Sequence, residues 1–179
     1  MDAQDQHDHG LARLIRDIPD FPKQGIVFKD ITPLMRDPEA FARTLDALVT
    51  RHEKDRVTTV AAIESRGFIF GGALATRLGA GFVPIRKPGK LPYETLSESY
   101  TLEYGTGTLQ IHSDAVERAD RVLIVDDLLA TGGTAAAAVS LVQRMGGEVV
   151  GLSFVVELVF LHGRAKLPGL PTYSLIKYD

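Results

Sequence analysis

The sequence predicts an α/β fold in which helices flank a central parallel sheet. Three apolar runs carry this prediction, at residues 57–63, 122–125 and 149–156, and each is rich in β-branched residues. Stretches of helical length lie beside them, at residues 67–78 and 135–145. Continuous apolar strands that alternate with helices are typical of a parallel sheet covered on both faces.

The N-terminal elements precede this alternation. Leu11, Leu14 and Ile15 lie at helical spacing, which predicts a short amphipathic helix that ends near Pro19. Pro38 then begins a second helix, because proline is favoured in the first turn. The apolar face of that helix comprises Phe41, Leu45, Leu48 and Val49.

Residues 86–112 interrupt the regular pattern. They follow a short strand at 82–85, begin with proline and glycine, and then alternate weakly in polarity around Tyr100 and Ile111. This pattern predicts a long two-stranded excursion. Because long loops in compact domains usually serve function, we expect it to be a flexible functional segment.

Composition restricts the classes of function. The 179 residues suit one domain, and a net charge of −3 argues against non-specific binding to nucleic acid or an anionic membrane. The absence of cysteine excludes disulfides and thiolate metal sites, and indicates a reducing compartment. No apolar run approaches the roughly 20 residues that span a bilayer, and residues 1–10 lack the features of a signal peptide. We therefore expect a cytoplasmic protein.

The strongest functional pattern covers residues 122–134. An apolar strand ends in Asp126 and Asp127, and a glycine-rich turn then opens a helix. Ligands of open α/β sheets bind at the carboxyl ends of strands, and the amides of a helix N-terminus favour phosphate. Two carboxylates suit paired ribose hydroxyls, so the pattern predicts a ribose 5-phosphate site, with solvated acids or a metal pair as alternatives. The turn contributes Ala130, Thr131, Gly132, Gly133 and Thr134.

Two more groups of polar residues follow predicted strands. Glu64, Ser65 and Arg66 come directly after residues 57–63, where backbone amides and an arginine suit a diphosphate. A helix cap with a surface arginine would explain the same residues. Three cations follow the strand at 82–85: Arg86, Lys87 and Lys90. Such a run is usually a solvated face, but its position directly after a buried strand favours a diphosphate partner.

With these motifs the chain resembles the type I phosphoribosyltransferases, and in particular their adenine-specific members, from about residue 15 to the C-terminus. Residues 126–134 are similar to the family's motif for phosphoribosyl pyrophosphate (PRPP). The resemblance implies the fold of that family in a single domain over residues 1–179. It also implies a small N-terminal hood over residues 1–35 and a flexible catalytic loop over residues 86–112. The segments that point to adenine are residues 21–30, 64–68, 86–92 and 100–104.

The resemblance implies an enzyme that joins adenine to PRPP, giving AMP and pyrophosphate, with Mg²⁺ held mainly by PRPP and water. It implies a homodimer, with no nucleic acid or membrane partner. Glu103 matches the family's loop glutamate, which would assist removal of the N9 proton, although by itself it fits a surface acid. The loop at residues 64–67 would grip pyrophosphate, often through a non-proline cis peptide, and Arg86 and Lys87 would approach it.

The resemblance also implies an adenine pocket. Phe28 would stack on the base, although by itself it fits core packing. The main chain around Val27 would read the base edge, and Leu158 would form the opposite wall. Other members carry arginine at position 29, whereas Lys29 lacks the planar guanidinium fork.

Three other interpretations compete with this one. A phosphoribosyltransferase for hypoxanthine, guanine or xanthine would share the PRPP motif. A transcription regulator of this fold that binds PRPP as an effector would need a basic DNA-binding region, for which this acidic sequence offers no candidate. A dinucleotide-binding protein would need G-x-G-x-x-G after its first strand, which the sequence lacks.

Overall fold

The structure is a computed structural model that describes residues 10–101 and 105–179. The chain divides between Ala47 and Leu48 into two compact units. Among the described residues, no helix is both long enough and apolar enough to cross a membrane.

The N-terminal unit, which ends at Ala47, contains an antiparallel hairpin followed by helix. A 3₁₀ turn at Leu11–Leu14 leads directly into a strand, so the predicted helix that ends near Pro19 is wrong. Leu11 and Ile15 are buried as an amphipathic helix would require, but the following residues pair with a second strand instead. The elements are β1 (Arg16–Pro19), β2 (Val27–Asp30), α1 (Thr32–Arg36) and α2 (Pro38–His52), the last of which spans the division.

The C-terminal unit, from Leu48 onward, contains the predicted alternation of strands and helices. Its elements are β3 (Thr59–Ile63), α3 (Gly67–Leu78), β4 (Gly81–Ile85), β5 (Thr95–Thr101), β6 (Thr106–His112), β7 (Arg121–Leu129), α4 (Gly133–Met145), β8 (Glu148–Leu158) and β9 (Thr172–Tyr178).

Five of these strands form a sheet in the order β4-β3-β7-β8-β9, with every neighbouring pair parallel. This confirms the predicted fold class. The chain moves outward from β3 to β4 in one direction and from β7 through β8 to β9 in the other. The strand order therefore reverses between β3 and β7, and such a switch point opens a crevice at the carboxyl ends of the strands.

The ends of the strand ladders shape this crevice. Pairing between β3 and β7 stops at Ala62 opposite Val125, whereas pairing between β7 and β8 continues to Leu129 opposite Glu157. Residues 126–129 of β7 therefore have a strand neighbour on the β8 side but no partner in β3. That side is open to side chains from the loop after β3.

The core of the C-terminal unit explains why its strands are apolar throughout. Every residue of β3 is buried, because helices cover both faces of a parallel sheet. Burial of each large aliphatic side chain contributes about 1.5–3 kcal/mol, so the sheet interior stabilises the frame of the crevice. The excursion forms the β5–β6 hairpin, and Leu109 and Ile111 of β6 are fully buried in the same core. Packing therefore holds β6 in place, and flexibility of the rest of residues 86–112 stays a prediction.

Candidate active site

A cavity of about 370 Å³ lies at the switch point between β3 and β7. The two loops that the sequence predicts as phosphate sites meet there, because they follow neighbouring parallel strands. The predicted residues that line the cavity are Glu64, Ser65, Arg66, Lys87, Asp126, Asp127, Ala130, Thr131, Gly132 and Thr134. Residues that sequence reasoning did not assign to the site also line it: Ile63, Tyr100, Leu109, Leu128, Leu129, Ala135 and Phe154. Among these, Tyr100 could have been found, since it begins one of the segments shared with the family.

Residues 130–134, which we call the phosphate turn, connect β7 to α4. Gly132 is the N-cap of α4 and has a φ of 76°, a left-handed conformation that favours glycine. The amides of the first helical turn therefore face the cavity end of α4, where the helix dipole favours an anion. A Cβ on Gly132 would lie 2.2 Å from the carbonyl oxygen of Gly163. Backbone packing therefore requires this glycine, in addition to the close approach of phosphate predicted from the sequence.

Gly133 differs from its neighbour because it does not line the cavity. A Cβ on Gly133 would lie 3.2 Å from Cδ2 of Tyr100 and 3.3 Å from the carbonyl oxygen of Thr101. The end of β5 therefore packs directly against the start of α4. The small residue at this position serves the contact between the hairpin and the phosphate turn.

The sequence predicted a strand that ends in the acid pair, whereas β7 continues past both acids to Leu129. The ladder with β8 continues past the acids, so Asp126 and Asp127 remain extended, and both line the cavity. Asp127 is 6% exposed, and its Oδ2 accepts a hydrogen bond from Nε of Arg66 at 2.5 Å. Oδ1 of Asp126 accepts the backbone N–H of Asp127 at 2.9 Å. Burial and the nearby charge of Asp127 raise the pKa of Asp126 well above its ordinary value of 3.8.

We expect Asp126→Asn to raise the thermal stability of the ligand-free protein at neutral pH. A carboxyl group whose pKa is raised in the folded state contributes fully to the free energy of unfolding below its unfolded-state pKa of 3.8. That stabilisation is lost as the pH rises through the folded-state pKa. Asparagine keeps the oxygen that accepts the Asp127 N–H and removes the charge. Melting temperatures of variant and wild type should therefore diverge as the pH rises from about 4 to about 8. Curves that stay parallel over this range would contradict the raised pKa.

The cations after β4 are arranged around Glu64, whose side chain is 5% exposed. Oε2 of Glu64 accepts Nε–H of Arg86 at 2.8 Å, and Oε1 accepts the backbone N–H of Lys87 at 2.9 Å. Nζ of Lys90 lies 3.6 Å from Oε1. Burial alone would raise the pKa of Glu64, but these hydrogen bonds and charges hold it below its ordinary value. Glu64 is thus ionised, and it anchors residues 86–90, which we call the cation segment.

The three cations around Glu64 do not all reach the cavity. Lys87 lines the cavity, whereas Arg86 and Lys90 do not. Nη1 of Arg86 donates to the carbonyl oxygen of Lys90 at 3.0 Å, and its Cζ lies 5.9 Å from the centre of the Phe68 ring. The peptide bond between Glu64 and Ser65 is cis.

The predicted adenine-binding residues of the N-terminal unit lie on β2. Val27 is 49% exposed, and the Phe28 ring meets that of Phe21 edge-on, with 5.2 Å between centroids. Nζ of Lys29 forms an ion pair with Asp17 at 2.6 Å. Contact of these residues with adenine stays a prediction.

Other predicted site residues also stay predictions. Leu158 is the last residue of β8 and does not line the cavity. Glu103 lies outside the described residues. Within residues 10–101 and 105–179, no group of three or more histidine, aspartate or glutamate side chains is arranged to hold a metal ion.

A phosphate turn, an acid pair and an anchored cation segment at the switch point of a parallel sheet define a protein that binds a phosphorylated ribose. The family model for the phosphoribosyl transferase domain matches residues 36–168. The chain belongs to the adenine phosphoribosyltransferase family, as its relatives establish. It is 59% identical to the adenine phosphoribosyltransferase of Maridesulfovibrio salexigens over 93% of this chain and 98% of that protein. Identity to the Thermotoga maritima protein of the same name is 56%, over 94% and 97%.

Solved structures agree with this assignment. The adenine phosphoribosyltransferase of Thermoanaerobacter pseudethanolicus superposes with a TM-score of 0.93 at 55% identity, covering 96% of this chain and 99% of that one. The Saccharomyces cerevisiae enzyme, solved with adenine and an imino-altritol bisphosphate, superposes with a TM-score of 0.90 at 40% identity, covering 96% and 99%.

Proposed function

We infer that this protein is an adenine phosphoribosyltransferase, a glycosyltransferase of purine salvage. It transfers the 5-phosphoribosyl group of PRPP to N9 of adenine and yields AMP and pyrophosphate. The observation that carries this function is the meeting of the phosphate turn, Asp126, Asp127 and Arg66 around one cavity at the switch point.

Each part of PRPP has a chemically suitable partner in this cavity. The amides and hydroxyls of the phosphate turn would bind the 5-phosphate, and Asp126 and Asp127 would accept hydrogen bonds from the ribose hydroxyls. Arg66 and the cations anchored by Glu64 would bind the diphosphate. Because Arg66 pairs with Asp127, arrival of PRPP would turn the guanidinium from the carboxylate to the diphosphate and release Asp127 for the ribose.

Rate enhancement follows from where charge develops. Transfer at the anomeric carbon passes through an oxocarbenium-like state, so negative charge grows on the departing pyrophosphate. Cations held beside the diphosphate stabilise that state more than the ground state, since they act on charge that appears only as the bond breaks. Ion pairing to the buried Glu64 keeps Arg86 in place before the reaction, which lowers the cost of reorganisation.

The acid pair fits a magnesium ion that arrives with PRPP better than one held by the protein alone. Asp127 is engaged by Arg66, and Asp126 has a raised pKa, so neither is a ready primary ligand. Mg²⁺ keeps several waters and commonly binds through substrate phosphates, as this arrangement requires. We propose Mg²⁺ as the cofactor, where it would neutralise charge on the leaving pyrophosphate.

Adenine specificity is supported by the names of the relatives and by the family segments in the sequence. We propose that Phe28 stacks on the base, that the main chain at Val27 reads its edge and that Leu158 forms the opposite wall. A contact from Lys29 would have to compete with its ion pair to Asp17.

We propose that Glu103 accepts the N9 proton of adenine, on the basis of the match between residues 100–104 and the family's loop. Glu103→Gln keeps the shape of the side chain and removes its basicity, so turnover should fall roughly a hundredfold. AMP has no N9 proton to lose, and its affinity should change much less. Glu98→Gln, on β5 and paired with Arg144, is the control and should retain near-normal turnover. Full activity in Glu103→Gln would transfer the catalytic role to Arg66, Arg86 and the metal.

The test of the overall function is a panel of bases. The purified protein, PRPP and Mg²⁺ should give AMP with adenine, and little product with hypoxanthine, guanine or xanthine. Preference for another base in this panel would overturn the adenine assignment and keep the class of reaction.

We also propose a homodimer. Ile69 of α3 and Phe82 of β4 are 46% and 41% exposed, and Phe82 meets the ring of Phe68 edge-on at 5.8 Å. Exposed apolar side chains on neighbouring elements suit a protein contact. Sedimentation velocity tests this assignment. The cytoplasmic location stays a prediction of the cysteine-free sequence.

A further inference from the structure

An ion pair between a buried carboxylate and a partly exposed arginine joins β8 to the 3₁₀ segment Gly163–Lys166, outside the cavity lining. Glu157, the residue before the last of β8, is only 3% exposed. Nε and Nη2 of Arg164 donate to its two carboxylate oxygens, both at 2.7 Å. This is the bidentate geometry in which an arginine and a carboxylate bind most specifically.

Arg164 is also fixed to the neighbouring strand. Its Nη1 donates to the carbonyl oxygen of Thr172 at 2.7 Å, and its Nη2 lies 3.3 Å from Oγ of Ser174, both on β9. Burial alone would raise the pKa of Glu157, but the hydrogen bonds from Arg164 and Ser174 hold it below its ordinary value. Glu157 and Arg164 are therefore both charged at neutral pH, and together they hold the 3₁₀ segment against the sheet edge.

The first residue of that segment, Gly163, packs directly against the phosphate turn. A Cβ on Gly163 would lie 2.3 Å from the carbonyl oxygen of Ala130 and 3.1 Å from the nitrogen of Gly132. In the reverse direction, a Cβ on Gly132 would meet the carbonyl oxygen of Gly163. The two backbones are thus in contact with no side chain between them, so a displacement of Gly163 is transmitted directly to the turn.

We propose that Glu157 and Arg164 are positioning residues for the 5-phosphate site, which hold Gly163 behind the phosphate turn and keep its amides aimed at the phosphate. This proposal rests on the proposed function, since it takes the 5-phosphate of PRPP and AMP as the ligand. The pair touches no substrate. Its effect acts on phosphate affinity through the backbone of Gly163.

Glu157→Gln tests the pair, because glutamine keeps the shape of the side chain and removes its charge. Calorimetry should show roughly tenfold weaker binding of ribose 5-phosphate, the size of effect typical of groups that support a ligand-binding shell. The KM for PRPP should rise by a similar factor while kcat changes little. Amide exchange in residues 131–134 should become faster, since the turn loses its support. Arg164→Gln should reproduce these effects. Arg164→Lys keeps the positive charge and loses the planar fork of donors, so it should show smaller effects of the same kind.

The control variant is Glu148→Gln. Glu148 also accepts a hydrogen bond from an arginine, Nη1 of Arg121 at 2.6 Å. It lies at the opposite end of β8 from Glu157, and its ion pair joins β8 to β7. Its loss should leave both the affinity for ribose 5-phosphate and the exchange of residues 131–134 at wild-type values. A merely structural ion pair would behave like this control.

Wild-type affinity for ribose 5-phosphate and unchanged exchange in Glu157→Gln would overturn the proposal. Equal losses in Glu148→Gln would also overturn it, since the effect would then reflect general destabilisation. If Glu157→Gln does not fold, the milder Arg164→Lys decides the matter by the same two measurements. Failure of the wild type to form AMP would count against the proposed function instead, because binding of ribose 5-phosphate is measured without a base.

Discussion

Gly132→Ala is expected to abolish measurable binding of ribose 5-phosphate and AMP while the sheet remains folded. The new Cβ would lie 2.2 Å from the carbonyl oxygen of Gly163 and 2.9 Å from its carbonyl carbon, well inside contact distance. Both atoms belong to backbone, so no side-chain rotation relieves the clash, and the turn must move. A left-handed φ of 76° adds strain for any residue with a Cβ. Calorimetric titration with AMP measures the result.

Gly79→Ala separates the clash from the strain. Gly79 caps α3 with a φ of 66°, but a Cβ there would meet nothing within 4 Å. This variant should lose about 1 kcal/mol of stability and retain wild-type affinity for AMP. Near-normal AMP binding in Gly132→Ala would show that the turn tolerates displacement, and would remove it from the phosphate site.

Arg66→Gln is expected to lower kcat/KM for PRPP by about 100- to 1,000-fold, the loss typical when one preorganised donor to a developing negative charge is removed. Arg66 lines the cavity and pairs with Asp127 of β7. Steady-state kinetics with PRPP as the varied substrate measure the effect. Arg121→Gln, which removes an arginine from the opposite end of β7, is the control and should change kcat/KM little.

A double-mutant cycle with Asp127→Asn tests the exchange of partners. Each single variant should lose PRPP use, but the double variant should lose less than the product of the two, since both act through one pair. Strictly multiplicative losses would mean that Arg66 and Asp127 act on PRPP independently. Wild-type kinetics in Arg66→Gln would move the diphosphate to Lys87 and the segment anchored by Glu64.

Much of the fold and of the site could be predicted from the sequence because the signals are local. The buried strands β3, β7 and β8 are continuous apolar runs, since a covered parallel strand has no solvent face. Asp126, Asp127 and the phosphate turn are adjacent in the chain, so their chemistry is apparent before any folding. The helices predicted at residues 67–78 and 135–145 agree closely with α3 and α4 for the same reason, and α3 ends at Leu78 before Gly79 in its left-handed conformation.

Strands that depend on pairing with residues elsewhere in the sequence were predicted less well. β1 was predicted as helix, because its extended form depends on pairing with β2, whose partner residues lie 8 to 14 positions further along the chain. β7 was predicted to end at the acids, whereas its ladder with β8 extends it to Leu129. β9 was not predicted at all, since it lies at the sheet edge and its exposed positions carry polar residues such as Lys177.

The sequence by itself determined the fold class, the acid pair and the phosphate turn, because these depend on residue type and spacing along the chain. Only the tertiary structure decided which groups meet. Arg66 reaches Asp127 across 61 residues, Glu64 reaches Arg86 across 22, and Gly163 reaches the phosphate turn from beyond β8. These contacts follow from strand order and from the close approach of backbones. Both are properties of the packed sheet, and neither produces a repeating pattern of residues in the sequence.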